Sequence, residues 1–220
     1  MTVGARPQTL PFSIENAFTD RLEGGNAAAI VRVPSLTALP DATLQTIATN
    51  FNQPMSVFIA PRETDASDPS GAATFGIRWF TTELEISLCG HGTLAAAAAV
   101  FRSAEGVQGP TTIRFEAPTG KFLVARRVDE GRIEIDLDAG YSEALAGTED
   151  AQLRDVLGRA LGKDVRVKYA GRGIAHMDEY ALIEVDTRDL KGLEVDTDAL
   201  VSWIRLAFGP ASLVLMGVWV

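Results

Sequence analysis

Seven residues, Ser87-Leu88-Cys89-Gly90-His91-Gly92-Thr93, join a polar turn to the apolar run Leu94–Phe101. The turn carries the single cysteine of the chain and one of its two histidines. A helix that starts here presents backbone N–H groups with no intrahelical acceptor, at the positive end of the helix dipole. Gly90 and Gly92 let the backbone approach a ligand closely. The chemistry on offer is capture of a carboxylate or enolate oxygen by Gly90, His91, Gly92 and Thr93, with the imidazole alongside for orientation or protonation. Asn26 sits in the tight turn Gly24-Gly25-Asn26.

Other chemistries lack their residues. Two distant histidines and one cysteine give no metal-ligand spacing, so no metal is expected. Gly171-Arg172-Gly173 is too short and wrongly placed for a dinucleotide loop, and no nucleotide is expected. A formal charge of −9 without a basic stripe argues against nucleic acid. His176 reads as a loop residue.

The elements that must position the turn follow from periodicity. Ser13–Phe18 and Ala27–Val33 read as strands around a turn-rich loop. Leu44, Ile47, Ala48 and Phe51 repeat at helical spacing, and Asn52-Gln53-Pro54 ends that helix. Met55–Ala60 and Ala73–Thr81 are strands, the latter with Phe75, Ile77 and Trp79 on one face. The polar stretch Arg62–Gly71 between them reads as a loop. Gly92–Phe101 has no polar face and must be a helix buried on all sides, its alanines letting strands wrap closely.

Strands follow at Thr112–Glu116, Lys121–Val128 and Arg132–Leu137, then a helix over Thr148–Leu161. Strands at Val165–Ala170 and Tyr180–Val185, a helix over Asp198–Phe208 and the apolar run Ser212–Val220 complete the pattern. Without a βαβ rhythm the fold class reads as α+β. With no signal peptide and no run long enough to span a bilayer, the sequence reads as a soluble cytoplasmic protein without a membrane partner.

Several of these stretches together resemble the phenazine biosynthesis-like (PhzF) family, which shares the diaminopimelate epimerase fold. The matching pieces are Asp20…Gly24-Gly25-Asn26-Ala27-Ala28, Ile77-Arg78-Trp79-Phe80-Thr81, Glu85 through Leu94, and Phe115…Thr119-Gly120. The resemblance implies two similar halves, each a curled mixed sheet around a central helix, with a cleft between them. Residues 13–125 would form the first half and 126–220 part of the second. It further implies a cofactor-free isomerase in which a glutamate moves a proton on a small carboxylate-bearing metabolite, with Asn26 at a substrate-contacting position of the cleft, although a tight turn explains Asn26 equally well.

Two departures qualify that expectation. The family carries its glutamate in an Asn-x-Ser-Glu-(Thr/Ser)-x-Phe pattern, and here Asn52-Gln53-Pro54-Met55-Ser56-Val57-Phe58 places Met55 there. A thioether exchanges no proton at neutral pH. The family's later Asp-Pro-x-Thr-Gly-Ser-Ala segment is also absent, and the expectation is a second half left incomplete at Val220. Exposed sheet edges would then favour marginal stability or self-association, for instance as a homodimer.

Glu85 could stand in for the lost acid, although a strand-end role bound to backbone suits it better, and Gln53 could donate a hydrogen bond to a substrate near Met55. Two-thiol racemisation through Cys89 would need a second cysteine, which the chain lacks. Three readings follow: an isomerase that works without the glutamate, an inactive relative that binds a small acid or a partner protein, and a truncated gene product.

Overall fold

A computed structural model describes residues 9–21, 23–63, 71–103, 109–128, 131–137, 141–160, 166–174, 180–186 and 213–217, with 196, 198 and 202. The chain divides into two compact units, Met1–Asp138 and Ala139–Val220. The sequence boundary at 125/126 falls inside a strand that belongs to the first unit's sheet. His176 and most of the helix expected over Asp198–Phe208 lie outside the described residues, as does the middle of the Arg62–Gly71 loop.

The first unit holds strands β1 (Phe12–Ala17), β2 (Asn26–Arg32), β3 (Met55–Pro61), β4 (Ala73–Phe80), β5 (Glu85–Ile86), β6 (Thr112–Glu116), β7 (Phe122–Arg127) and β8 (Ile133–Asp136). They form one mixed sheet in the order β1-β2-β3-β4-β6-β7-β8, with β5 paired to β4. β2 runs parallel to β3 and β4 parallel to β6, while the other pairs are antiparallel. Each parallel pair is joined by a helix. α1 (Asp41–Phe51) links β2 to β3, and α2 (Gly90–Ser103) lies between β4 and β6 in the chain. Two βαβ-type crossovers therefore exist that the sequence pattern does not reveal; the strands are short and β5 interrupts the second crossover. The class remains α+β, a curled mixed sheet plus a small second sheet.

Alternation on the central strands assigns the two helices to opposite faces of the sheet. Val31, Phe58, Ala60 and Phe80 form one cluster with Leu44 and Ala48 of α1. Met55, Val57 and Trp79, at alternate positions to Phe58 and Phe80, lie against Gly92 of α2. α1 ends because Asn52 turns left-handed (φ 51°) and returns its N–H to the Ala48 carbonyl, so the stop precedes Pro54. Arg78 ties β4, β5 and α1 together on the α1 face of the sheet. Its guanidinium gives two hydrogen bonds to Glu85 (2.7 and 2.6 Å) and one to Asp41 at the start of α1 (2.8 Å).

α2 is buried along Thr93, Ala95, Ala96, Ala97, Ala99, Val100 and Phe101, but not all round. Leu94 and Ala98 border a groove of about 790 Å³ that β1 and β8 also line. The reason is topological: β1 and β8 are the two edges of the sheet, which curls about α2 without closing. On the edge strand β1, Glu15 points inward and is held by Arg102 of α2 at 2.7 Å, an inward charge that discourages edge-to-edge pairing. Phe12, Ile14 and Phe18 of the same segment are exposed.

In the second unit β9 (Ser142–Ala144), β10 (Arg166–Gly173), β11 (Tyr180–Asp186) and β12 (Leu213–Gly217) form a mixed sheet in the order β12-β11-β10-β9. α3 (Gly147–Ala160) buries Leu153, Val156, Leu157 and Ala160, the stripe its spacing predicts. No helix among the described residues is long and apolar enough to cross a membrane.

Candidate functional site

α2 begins at Gly90, two residues earlier than its apolar run suggests, because Cys89 caps it. The Cys89 carbonyl accepts the Thr93 N–H (3.0 Å) and the Thr93 hydroxyl (2.7 Å). Its sulfur accepts the Gly92 N–H at 3.4 Å. A side-chain acceptor for an early helical N–H is what an N-cap provides, although the usual residues are Ser, Thr, Asp and Asn. The consequence is that His91 lies within the first helical turn.

Sheet register brings the strand ends to that turn. Met55, the first residue of β3, pairs with Ala28, and Asn26 opens β2 two residues before it. Trp79, near the end of β4, pairs with Val57 on one side and Ile86 on the other. A Cβ placed on Gly92 would meet Val57 Cγ2 at 3.0 Å, and Met55 Cγ and Trp79 Cδ1 each at 3.1 Å. Glycine is thus needed at 92 for close approach of the helix to the sheet. Met55 and the Gly-His-Gly turn, inferred from separate stretches of sequence, stand together.

Of the other expected residues, Gly90 is open: a Cβ there would meet only Leu137 Cδ1, at 3.7 Å. Asn26 is half-buried, and its neighbour Ala27 has its backbone near the His91 ring. Thr93 is fully buried with its hydroxyl committed to Cys89, so it stands behind the turn. Gln53 gives its amide to the Phe51 carbonyl at 3.2 Å. Glu85 is held by Arg78, not by backbone, which corrects the reading of its strand-end role.

Electrostatics keep the turn neutral. Burial lowers the His91 pKa from its ordinary value, and the Ala27 backbone opposes that drop. Burial pushes the Cys89 thiol up to about 11, against the pull of the Gly92 and His91 N–H groups. At neutral pH the turn therefore carries a thiol and an uncharged imidazole. Cys89 Sγ and His91 Nδ1 lie 3.2 Å apart.

Two buried nitrogens here, His91 Nε2 and Trp79 Nε1, find no hydrogen-bond partner among the described residues. Buried polar atoms are rarely left so, and such an orphan points to a partner supplied from outside. Sequence places Trp79 only on a strand face. The available signal is that its face is the one that must meet the all-apolar helix. A cavity of about 320 Å³ opens beside it, lined by Glu85, Ser87, Pro118 and Thr119 among others. The larger groove between β1 and β8 does not include the turn. Among the described residues no group of three or more His, Cys, Asp or Glu could hold a metal ion.

Comparison with known proteins identifies the family and the fold. A family model described as phenazine biosynthesis-like protein matches residues 15–177. A phenazine biosynthesis-like domain-containing protein of Bos taurus is 33% identical over 159 residues, 71% of this chain and 52% of that protein. An uncharacterized isomerase of Pseudomonas aeruginosa is 32% identical over 149 residues, covering 68% of this chain and 51% of the isomerase. The chain thus spans about half the length of these curated relatives. The crystal structure of a PhzF-family phenazine biosynthesis protein from Enterococcus faecalis superposes with a TM-score of 0.61 at 25% identity, over 89% of this chain and 65% of the other.

Proposed function

Because this chain belongs to the phenazine biosynthesis-like (PhzF) family, we propose that it is a cofactor-free isomerase of a small carboxylate-bearing metabolite, one that works without the family's glutamate. The observation that carries this reading is the pair of buried, unpartnered nitrogens, His91 Nε2 and Trp79 Nε1, at the start of α2. Both suit an acceptor oxygen. With the N–H group of Gly90 at the helix start they offer neutral donors to an anionic group.

In this reading Gly90, His91 and Gly92 shape the oxyanion site and Asn26 lies at its margin. Thr93 supports the turn from behind. Met55 supplies an apolar wall where the family has its acid, so proton transfer by that side chain is replaced by orientation and by hydrogen bonds that strengthen as charge develops. The first unit, Met1–Asp138 rather than 13–125, forms one epimerase-like half and Ala139–Val220 belongs to a second; the mixed sheet of the second unit supports this.

The test is thermal unfolding with a panel of small dicarboxylates and aromatic acids. At least one acid raises the melting temperature of the wild type, and His91→Ala lowers affinity for it about tenfold or more, as loss of one hydrogen bond to a charged group of about 1.5–3 kcal/mol requires. An equal response in a folded His91→Ala would refute the site.

Met55 itself favours a second reading, an inactive relative that binds the acid without turning it over. Conversion of the bound acid to an isomer of the same mass, followed by NMR, separates the two. Conversion by the wild type supports the isomerase; conversion only after Met55→Glu supports the binder.

A further inference from the structure

We propose that Cys89 is a positioning residue that fixes His91 as the Nε2–H tautomer, so that its ligand-facing nitrogen is a permanent hydrogen-bond donor. The geometry rests on three atoms. Cys89 Sγ accepts the N–H of Gly92 at 3.4 Å and lies 3.2 Å from His91 Nδ1. A thiol has one proton to give, and sulfur is a weak acceptor. With Gly92 already donating to the sulfur, the complementary arrangement has S–H donating to Nδ1. Nδ1 is then the bare nitrogen of a neutral ring, and Nε2 carries the proton.

The opposite tautomer would ask one sulfur to accept a further N–H, beside those of Gly92 and His91, while its own proton found no acceptor. It would also leave a lone pair on buried Nε2, facing whatever oxygen the helix start attracts. The raised thiol pKa supports the first arrangement, since the sulfur keeps its proton throughout the neutral range. Cys89 thus has two jobs: it caps α2, and it sets the proton of the residue that follows Gly90. Neither job uses the thiol as a base or nucleophile.

This inference rests on the reading of His91 as the ligand-facing donor, but it is measurable without a ligand. The experiment is long-range proton–nitrogen correlation NMR of the histidine rings in the uniformly 15N-labelled full chain at neutral pH, with His176→Gln to assign the two ring systems. In the wild type, Nδ1 of His91 resonates as an unprotonated nitrogen and Nε2 as a protonated one. Cys89→Ser keeps that signature, because a hydroxyl can also donate to Nδ1 and accept from Gly92. Cys89→Ala loses it, giving an averaged or Nδ1–H pattern. A purely structural cap predicts a change in stability and no change in tautomer.

A wild-type ring in the Nδ1–H form overturns the proposal, and so does an unchanged Nε2–H signature in folded Cys89→Ala. Should Cys89→Ala not fold, loss of the wild-type signature in folded Cys89→Ser overturns it and retention supports it. Failure here leaves carboxylate binding untouched, and failure of carboxylate binding leaves the tautomer result standing.

Discussion

His91 does its work uncharged, and this has a consequence in pH. Its folded pKa lies below the ordinary value of about 6.5, chiefly through burial. Below that value the unfolded chain takes up a proton that the folded chain refuses, so the folded state loses stability as pH falls through about 6.5 toward the folded pKa. Above about 6.5 neither state carries the proton and the effect vanishes. Chemical denaturation of wild type and His91→Gln at several pH values isolates this contribution. Their stability difference stays constant from pH 7 to 8 and moves against the wild type below pH 6.5; a difference independent of pH would contradict the burial argument. At this scale the sequence is informative where residue type carries the chemistry, as in Gly90-His91-Gly92 and Met55. It is silent on Trp79, whose importance comes from a missing partner, and on the bond from Arg78 to Glu85, which depends on the pairing of β4 with β5.

The elements meet through a few polar joints set in an apolar frame. Arg78 is the principal one, a nearly buried guanidinium joining β4 to Glu85 and to Asp41 of α1. The Glu85 carboxylate, joined by two hydrogen bonds, and the exposed Asp41 carboxylate both hold its charge firmly on. Removing the arginine leaves its partners behind, whereas Asp41 is 80% exposed and its own loss is mostly made good by water. Arg78→Met should therefore cost about 2–4 kcal/mol and Asp41→Asn less than about 1 kcal/mol, both read by urea unfolding. Equal costs would show that the joint with α1, rather than with β5, sets the geometry. Amphipathic α1 and α3 are legible because their stripes face one sheet each. β5 and β9, of two and three residues, are not, since backbone pairing defines them and no side-chain period of that length exists. The early start of α2 escapes notice because a cysteine is not a usual cap.

The first unit carries its own core. The sheet from β1 to β8 wraps α2 on one face and packs α1 on the other, and Met55, Trp79 and the turn all lie within it. A chain ending at Asp138 should therefore unfold cooperatively and keep the His91 ring buried, as monitored by denaturation and by NMR of the imidazole. A molten, non-cooperative fragment would show that the core depends on residues after Asp138. The helix wrapped by sheet can be read from the alanine run, because a helix without a polar face has few alternatives. The groove left between β1 and β8 cannot, since closure depends on strand order and not on any local pattern.

Binding of a carboxylate by neutral donors at the start of α2 is most directly tested by titrating the 15N-labelled protein with the most stabilising acid of the thermal panel. The backbone N–H signals of Gly90, His91 and Gly92 and the indole N–H of Trp79 should shift together along one saturation curve, and Gly92→Val should abolish those shifts. If the acid binds while these four signals stay still, or moves signals elsewhere in the chain instead, the helix start is not where the carboxylate is held.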